Sequence, residues 1–535
     1  MLRRLITLSI ACALLVACQS SAPQNLLPQN AANGVMPMPR NGPATNPNEL
    51  PEPPVVRSAN GIARVKLDVT FSGATGFPQF VFDGMAGVAP TIRVKPGDTI
   101  VMEVKDDLTR VNAGDSHDIN IHFHGLGSSP LAPGDDVLGT LARPGQKIRY
   151  VIHIPATQGP GLYWYHPHIH GQTNYQVGQG GMSGAIVVEG LQQHFPQLAH
   201  MRERVIVLRD TGIGANAPPN DEPSGNGDMA GMGGMNDMGS AQDMAKPNTV
   251  NSDPCGPEIG LTPALNGAVD PTITIAPGEK QFFRVINATG HKTAKLAVPG
   301  EKLTVLAVDG FAVDSYPGTK PIVENSVIIP VAARAEFIVT GPSKATPFRS
   351  LCFDSGSGGD RDPDVVLATI QPPSGSRTHA RPAPQYGPVM TGAPLPQSGY
   401  TTALPKPSAH RFVVFSEGNK HFFINGKAFK MSDPPMFVVH TGTVEEWHIS
   451  NVSTEIHDFH IHQIHFLVIK RNGVPVAHPY WQDSAIIPHR QSPHTPGSLV
   501  VLMDFRDPVI KGIFLFHCHI LDHEDAGMMA KIQAI

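Results

Sequence analysis

The amino-acid sequence predicts an all-β protein of three consecutive β-sandwich domains, and three observations carry that prediction. The chain has 535 residues, too many for one ordinary core and enough for about three or four domains. Its 53 glycines and 52 prolines punctuate it densely, which suits many short strands joined by turns better than long helices. A segment also recurs three times, as Pro90-Thr-Ile-Arg-Val-Lys-Pro-Gly97, Pro271-Thr-Ile-Thr-Ile-Ala-Pro-Gly278 and Pro435-Met-Phe-Val-Val-His-Thr-Gly442. Each copy alternates into a strand and stops at glycine. The repeat extends upstream to the turn signals Phe82-Asp-Gly84, Leu265-Asn-Gly267 and Ile424-Asn-Gly426. Downstream, Val285-Ile-Asn287 matches Ile449-Ser-Asn451. Copies about 160 to 180 residues apart are too widely spaced for a solenoid, so each marks one homologous sandwich.

In chain order, Arg3 and Arg4 precede a mostly apolar run from Leu5 to Ala17 that is too short for a stable membrane span and fits a secretory signal. It ends in Leu15-Val16-Ala17-Cys18, which resembles the lipobox of bacterial lipoproteins. Residues 1–17 then read as a lipoprotein signal peptide and Cys18 as an acylated membrane anchor, the alternative being ordinary signal cleavage a little further on. Such a protein is exported, to the periplasm or the cell surface. The arginine pair is only weakly like a twin-arginine signal, which leaves the export route open. Residues 18–60 are rich in Pro, Asn, Ala and Gln without apolar periodicity and read as a flexible tether.

Domain 1 is expected over 61–192 and domain 2 over 193–370, with a low-complexity insert at 214–254. A Pro, Ser and Thr rich linker over 371–408 leads into domain 3 at 409–535. The insert carries Met229, Met232, Met235, Met238 and Met244 among Gly, Asp and Asn. Five thioethers on such a segment either bind soft Cu(I) or merely tolerate exposure. Of the five cysteines, Cys12 leaves with the signal and Cys18 is lipidated, while Cys518 lies in a histidine cluster. Cys255 and Cys352 remain, either as a disulfide worth about 4 to 5 kcal/mol or as two separate thiols.

The densest chemistry lies in His517-Cys518-His519, followed by His523 and Met528. Successive side chains of a strand point to opposite faces, so Cys518 faces one way and His517 and His519 the other. A thiolate, two imidazoles and a weak axial thioether form the ligand set of a blue-copper centre, and Cys518, His523 and Met528 supply three of the four. In His457-Asp458-Phe459-His460-Ile461-His462, parity sets His457 against His460 and His462, which assigns His457 to the blue site. His122-Phe123-His124 and His166-Pro167-His168 repeat the i, i+2 spacing. The eight same-face imidazoles of His122, His124, His166, His168, His460, His462, His517 and His519 could hold three further copper ions, two by three ligands each and one by two ligands and solvent.

These motifs, HFHG, HPH, HDFHIH and HCHILDHEDAGM, resemble those of the multicopper oxidase family, which includes laccases, bilirubin oxidases and bacterial cuprous oxidases. The resemblance spans roughly residues 61 to 535 and fills all twelve ligand positions. Its one departure is Asp458 where the family usually has proline; this is not a ligand position, but it could alter the field or the substrate surface beside the blue copper. The resemblance implies cupredoxin-like Greek-key domains and four copper ions, one type 1, one type 2 and two type 3. It also implies a trinuclear cluster between domains 1 and 3, where the motifs fall, with domain 2 a structural wall. Electrons from a small reductant would enter at His523 and pass through Cys518 to a cluster that reduces dioxygen, the co-substrate, to water.

The resemblance further implies a proton-relay role for Glu524, and for Asp135 or Asp136 in the turn after HFHG. Met528 as axial ligand would hold the blue-copper potential toward the lower end of the family's range. His170 and His465 fit no ligand slot and are expected to pack or to support the ligands from behind. His440, His448 and His494 carry no functional expectation.

The formal charge of −5, or −7 once residues 1–17 are removed, and the lack of a long basic run leave no electrostatic case for nucleic acid. A small reductant or Cu(I) is the expected partner. Three functions stay open: a laccase-like oxidase of phenols or aromatic amines, a cuprous oxidase in copper tolerance, and a copper-sequestering protein that turns nothing over.

Overall fold

A computed structural model describes residues 35–36, 48–108, 117–211, 253–256, 262–317, 319–373, 404–418 and 421–535. The signal peptide, Cys18, most of the tether, the five insert methionines and the bulk of the linker lie outside the described residues. Among the described residues no helix is long and apolar enough to cross a membrane.

Three cupredoxin-like sandwiches follow one another, each with one hydrophobic core between two sheets. A long parallel pair anchors one sheet of each: Ile62–Phe71 with Thr99–Asp106, Arg202–Thr211 with Lys280–Asn287, and Ala409–Gly418 with Thr443–Asn451. The repeated segments become short strands, Thr91–Val94, Thr272–Thr274 and Phe437–Val439, the last two at the ends of their sheets. Each runs parallel to the last strand of its own domain, Gly184–Val188, Val365–Gln371 or Met529–Ala534. The upstream turn signals all place a non-glycine at positive φ before a glycine at positive φ: Asp83 and Gly84, Asn266 and Gly267, Asn425 and Gly426. That is the backbone of a tight hairpin turn, which Asp and Asn tolerate and glycine adopts freely.

Sequence and structure differ at the tether. Within the expected tether, Leu50 is buried in the domain 2 core, and Val55–Arg57 adds a strand parallel to Thr91–Val94 of domain 1. The prolines around these few apolar residues favour extended chain, and extended chain can be captured by a free sheet edge. Cys255 and Cys352 form a disulfide with Cα atoms 5.4 Å apart. A further apolar cluster joins the domains, packing Leu162 and Trp164 of domain 1 against Val207 and Ile286 of domain 2 and Leu521 of domain 3. Each such fully buried side chain contributes about 1.5 to 3 kcal/mol to holding the three together.

Candidate metal centres

Strand Gly512–Cys518 pairs antiparallel with His457–Ile461 in a register that sets Phe459 opposite Cys518 and His460 opposite His517. Directly opposed residues share a face. Cys518 and Phe459 therefore point into the domain 3 core, while His460 and His517 point out of it toward domain 1.

On the inner face, Cys518 Sγ lies 3.8 Å from His457 Nδ1 and 3.6 Å from His523 Nδ1, and the two nitrogens are 3.2 Å apart. Met528 is buried in the same core, and its carbonyl accepts from Cys518 N at 3.0 Å. Burial pushes the Cys518 thiol well above its ordinary range and His457 down to about 3. A buried thiol beside two neutral imidazoles becomes a thiolate only when a cation replaces its proton, which fits a metal of soft and borderline ligands. The far side of His457 is tied by Nε2 to Ser453 Oγ at 2.9 Å.

His523 is only 5% exposed, which narrows the edge expected to face solvent. Phe422 stacks on its ring at 4.1 Å and Glu455 Oε1 lies 3.3 Å from its Nε2. Asp458 differs more from expectation. Its side chain lies buried at the interface with domain 2, where it accepts from Val331 N at 2.9 Å, so it does not shape a substrate surface. Strand parity is the reason, since it puts residue 458 on the side of His460.

On the outer face the eight paired histidines converge at the boundary of domains 1 and 3. They include two non-overlapping trios, His124 with His166 and His519, and His168 with His462 and His517, each with ligand atoms within 4.8 Å of one another. His122 and His460 are left over and meet at the same spacing in a group that also contains His462. In the second trio, His168 Nε2 and His462 Nε2 lie 3.3 and 3.2 Å from His517 Nε2.

Nε2 of His122, His124, His166 and His460 and both ring nitrogens of His519 are buried without a hydrogen-bond partner. Each such orphan costs about 1 to 3 kcal/mol unless something fills the centre. Burial, with mutual repulsion among the rings, lowers His124, His166, His460, His462 and His519 well below the ordinary imidazole range. They are neutral, with lone pairs free for a metal.

Several of the rings are held from behind at Nδ1, which aims their Nε2 inward. His166 Nδ1 donates to Pro167 O at 2.7 Å and His460 Nδ1 to Asp483 O at 2.8 Å. His122 Nδ1 lies 2.9 Å from Asp135 Oδ2. Asp135 also accepts from Phe123 N and Gln463 Nε2, whereas Asp136 caps Gly139 N and Thr140 Oγ1 in the turn. Between the two aspartates, only Asp135 faces the cluster.

Glu524 sits at its other end, with Oε2 at 3.1 Å from His517 Nδ1, Oε1 at 3.5 Å from His168 Nε2, and Thr173 Oγ1 donating to Oε1 at 2.8 Å. Burial pushes this carboxyl up, but the imidazoles of His168, His517 and His519 outweigh it and hold the group well below the usual range. His170 packs edge-on against Phe429, and His465 donates to Asp309 O at 3.0 Å, so neither joins the cluster.

Sequence reasoning passed over Asp483, Arg334 and Asp309, which stand behind His124 and His460. None lies in a motif; an isolated charge within an apolar run, such as Arg334 after Val331-Ala332-Ala333, was the available signal.

Sequence models described as multicopper oxidase match residues 67–193, 219–355 and 403–534, one in each domain. The multicopper oxidase MmcO of Mycobacterium tuberculosis is 24% identical over 465 residues, 83% of this chain and 81% of the relative. A laccase of Bacillus subtilis is 24% identical over 417 residues, 71% of this chain and 72% of the relative. A solved multicopper oxidase of Campylobacter jejuni, described as a metallo-oxidase, superposes with a TM-score of 0.64 at 21% identity, over 93% of this chain and 98% of that one. That likeness speaks for the fold alone.

Proposed function

The chain belongs to the multicopper oxidase family, oxidoreductases that use oxygen, and on that premise we propose that it couples one-electron oxidations of a small reductant to four-electron reduction of dioxygen to water. The observation that supports this most is the division of eight buried imidazoles into two trios and a pair, joined by one tripeptide to a second, thiol-containing centre. In this reading His457, Cys518, His523 and Met528 hold one type 1 copper. His124, His166, His519, His168, His462 and His517 hold the two type 3 ions, and His122 and His460 the type 2 ion. When bound, copper supplies one-electron redox chemistry at the first centre and multi-electron reduction of oxygen at the second.

The protein's own groups do the rest. His517 and His519 flank Cys518 covalently, so the ligands of the two centres share one backbone. Glu524 can hold or pass a proton at the edge of the cluster, with Thr173 Oγ1 donating to Oε1 and His517 Nδ1 against Oε2. Asp135 fixes His122 through Nδ1 and keeps the opposite nitrogen aimed inward. The eight imidazoles are buried, so protons need a path through the protein to reach them.

For the donor, the aromatic face of Phe422 on His523 favours an electron-rich phenol or aromatic amine. The carboxyl group of Glu455 beside His523 Nε2, which burial and Glu417 push up to about 11 and which a cation would deprotonate, supports a second reading, oxidation of Cu(I), which the insert methionines would assist. Oxygen uptake by the copper-loaded protein with a phenol and with Cu(I), with and without residues 228–245, separates these. Deletion that spares the phenol and removes Cu(I) turnover favours the metal; no uptake with either donor favours copper storage. We further propose export and lipid anchoring at Cys18, which Cys18→Ser tests by releasing the protein from membranes.

A further inference from the structure

Domain 2 contributes none of the clustered imidazoles, yet its Arg334 sits fully buried where the three domains meet. The guanidinium grips Asp483 of domain 3 in a two-pronged pair, Nη1 to Oδ1 and Nη2 to Oδ2, both at 2.7 Å. Its Nε donates to Leu162 O of domain 1 at 3.2 Å, and Nη1 lies 3.1 Å from His124 Nδ1. Asp483 in turn accepts through its carbonyl from His460 Nδ1 at 2.8 Å. Its carboxylate stands 3.8 Å from Nδ1 of both His124 and His460, whose rings stack 3.9 Å apart.

One side chain of the ligand-free domain therefore touches a ligand of domain 1 and fixes the residue that orients a ligand of domain 3. Asp309, also of domain 2, locks the clamp from behind by accepting from Arg334 N at 2.8 Å, Asp483 N at 3.1 Å and Ser484 N at 3.3 Å. The approach depends on the glycine of HFHG. Gly125 has φ +83°, and a Cβ there would collide with Arg334 Nη2 and Asp483 Oδ2. A planar fork matched to a carboxylate fixes orientation as well as charge, which an ammonium cannot do.

We propose that Arg334 is a positioning residue that sets His124 and His460 at copper-binding separation, so that domain 2 governs loading of the trinuclear site. The inference rests on the trinuclear reading of the eight histidines. Removing Arg334 alone would strand the Asp483 charge and threaten the fold. The test therefore uses the double variant Arg334→Met with Asp483→Asn, and separately Arg334→Lys, which keeps the charge without the fork.

Each variant and the unmodified protein are loaded with copper and titrated with a chelator, reading copper per chain against the blue absorption of the type 1 centre. The expected result is retained blue colour with trinuclear copper affinity down about 10- to 100-fold in the double variant, and a loss in the same direction in Arg334→Lys. Should the double variant not fold, Arg334→Lys carries the comparison. Copper held as tightly as in the unmodified protein overturns the clamp, and so does equal loss of blue and remaining copper, which marks general unfolding. An unmodified protein that holds copper only at the blue centre overturns the trinuclear reading, and the clamp with it.

Discussion

Domains 2 and 3 have the same sheet order, broken only by a register shift between Phe348 and Arg349 in domain 2, and opposite chemical content. The repeated segment aligns Ile273 with Phe437, their parallel partners are Ile370 and Ile532, and the next strands place Phe348 where domain 3 has Phe516. In that frame Ser350 stands at the position of Cys518 and Arg349 at that of His517; across the sheet Leu296 and Ala297 replace Phe459 and His460. Domain 1 fits the same frame, with His122 opposite His166 as His460 is opposite His517. One scaffold offers the metal-facing positions three times, and the sequence fills them twice. The fold supplies directions for side chains and leaves the chemistry to which residues stand there.

The largest test of this contrast is Cys518→Ser against Ser350→Ala. The first should abolish the blue absorption and oxygen uptake while trinuclear copper stays largely bound; the second should change neither spectrum nor rate. Persistent blue colour in Cys518→Ser would end the ligand assignment. Next, Phe348→Ala and Phe516→Ala remove equivalent, fully buried rings and should each destabilise the protein by about 3 to 5 kcal/mol in denaturant titration. Only the Phe516 variant should also broaden or shift the blue band, because only there does the strand lead into ligands. A copper signature in both would mean that the two sheets are not independent supports.

Domain 2 also carries a pH dependence of its own. Burial pushes the Asp362 carboxyl up to about 7, so the folded protein holds that proton more tightly than the unfolded chain. Its contribution is complete below about pH 4 and is lost as the pH rises toward about 7, up to about 4 kcal/mol. Asp362→Asn should flatten the Tm profile across that window with the copper spectra unchanged; an unaltered profile would show that the group does not titrate there. Smallest in free energy, Glu524→Gln should slow oxygen reduction about 100-fold, or about 2.7 kcal/mol, with copper content intact. A matching fall in copper content would make Glu524 a support of the ligands rather than a proton carrier.

The sequence by itself determined the three sandwiches, their turns and the sorting of the histidines and Cys518 between two faces, because strand parity and positive-φ turn residues act within a few residues of backbone. His457 and Cys518 could be grouped that way, and so could the paired histidines. Convergence across hundreds of residues is a different matter. Only the tertiary structure decided that Asp135 rather than Asp136 reaches His122, that Asp458 faces domain 2, that Leu50 belongs to a core, and that Arg334 stands behind His124. These depend on how whole sheets dock, and a lone charge or a short apolar stretch leaves no periodic trace of the partner it will meet.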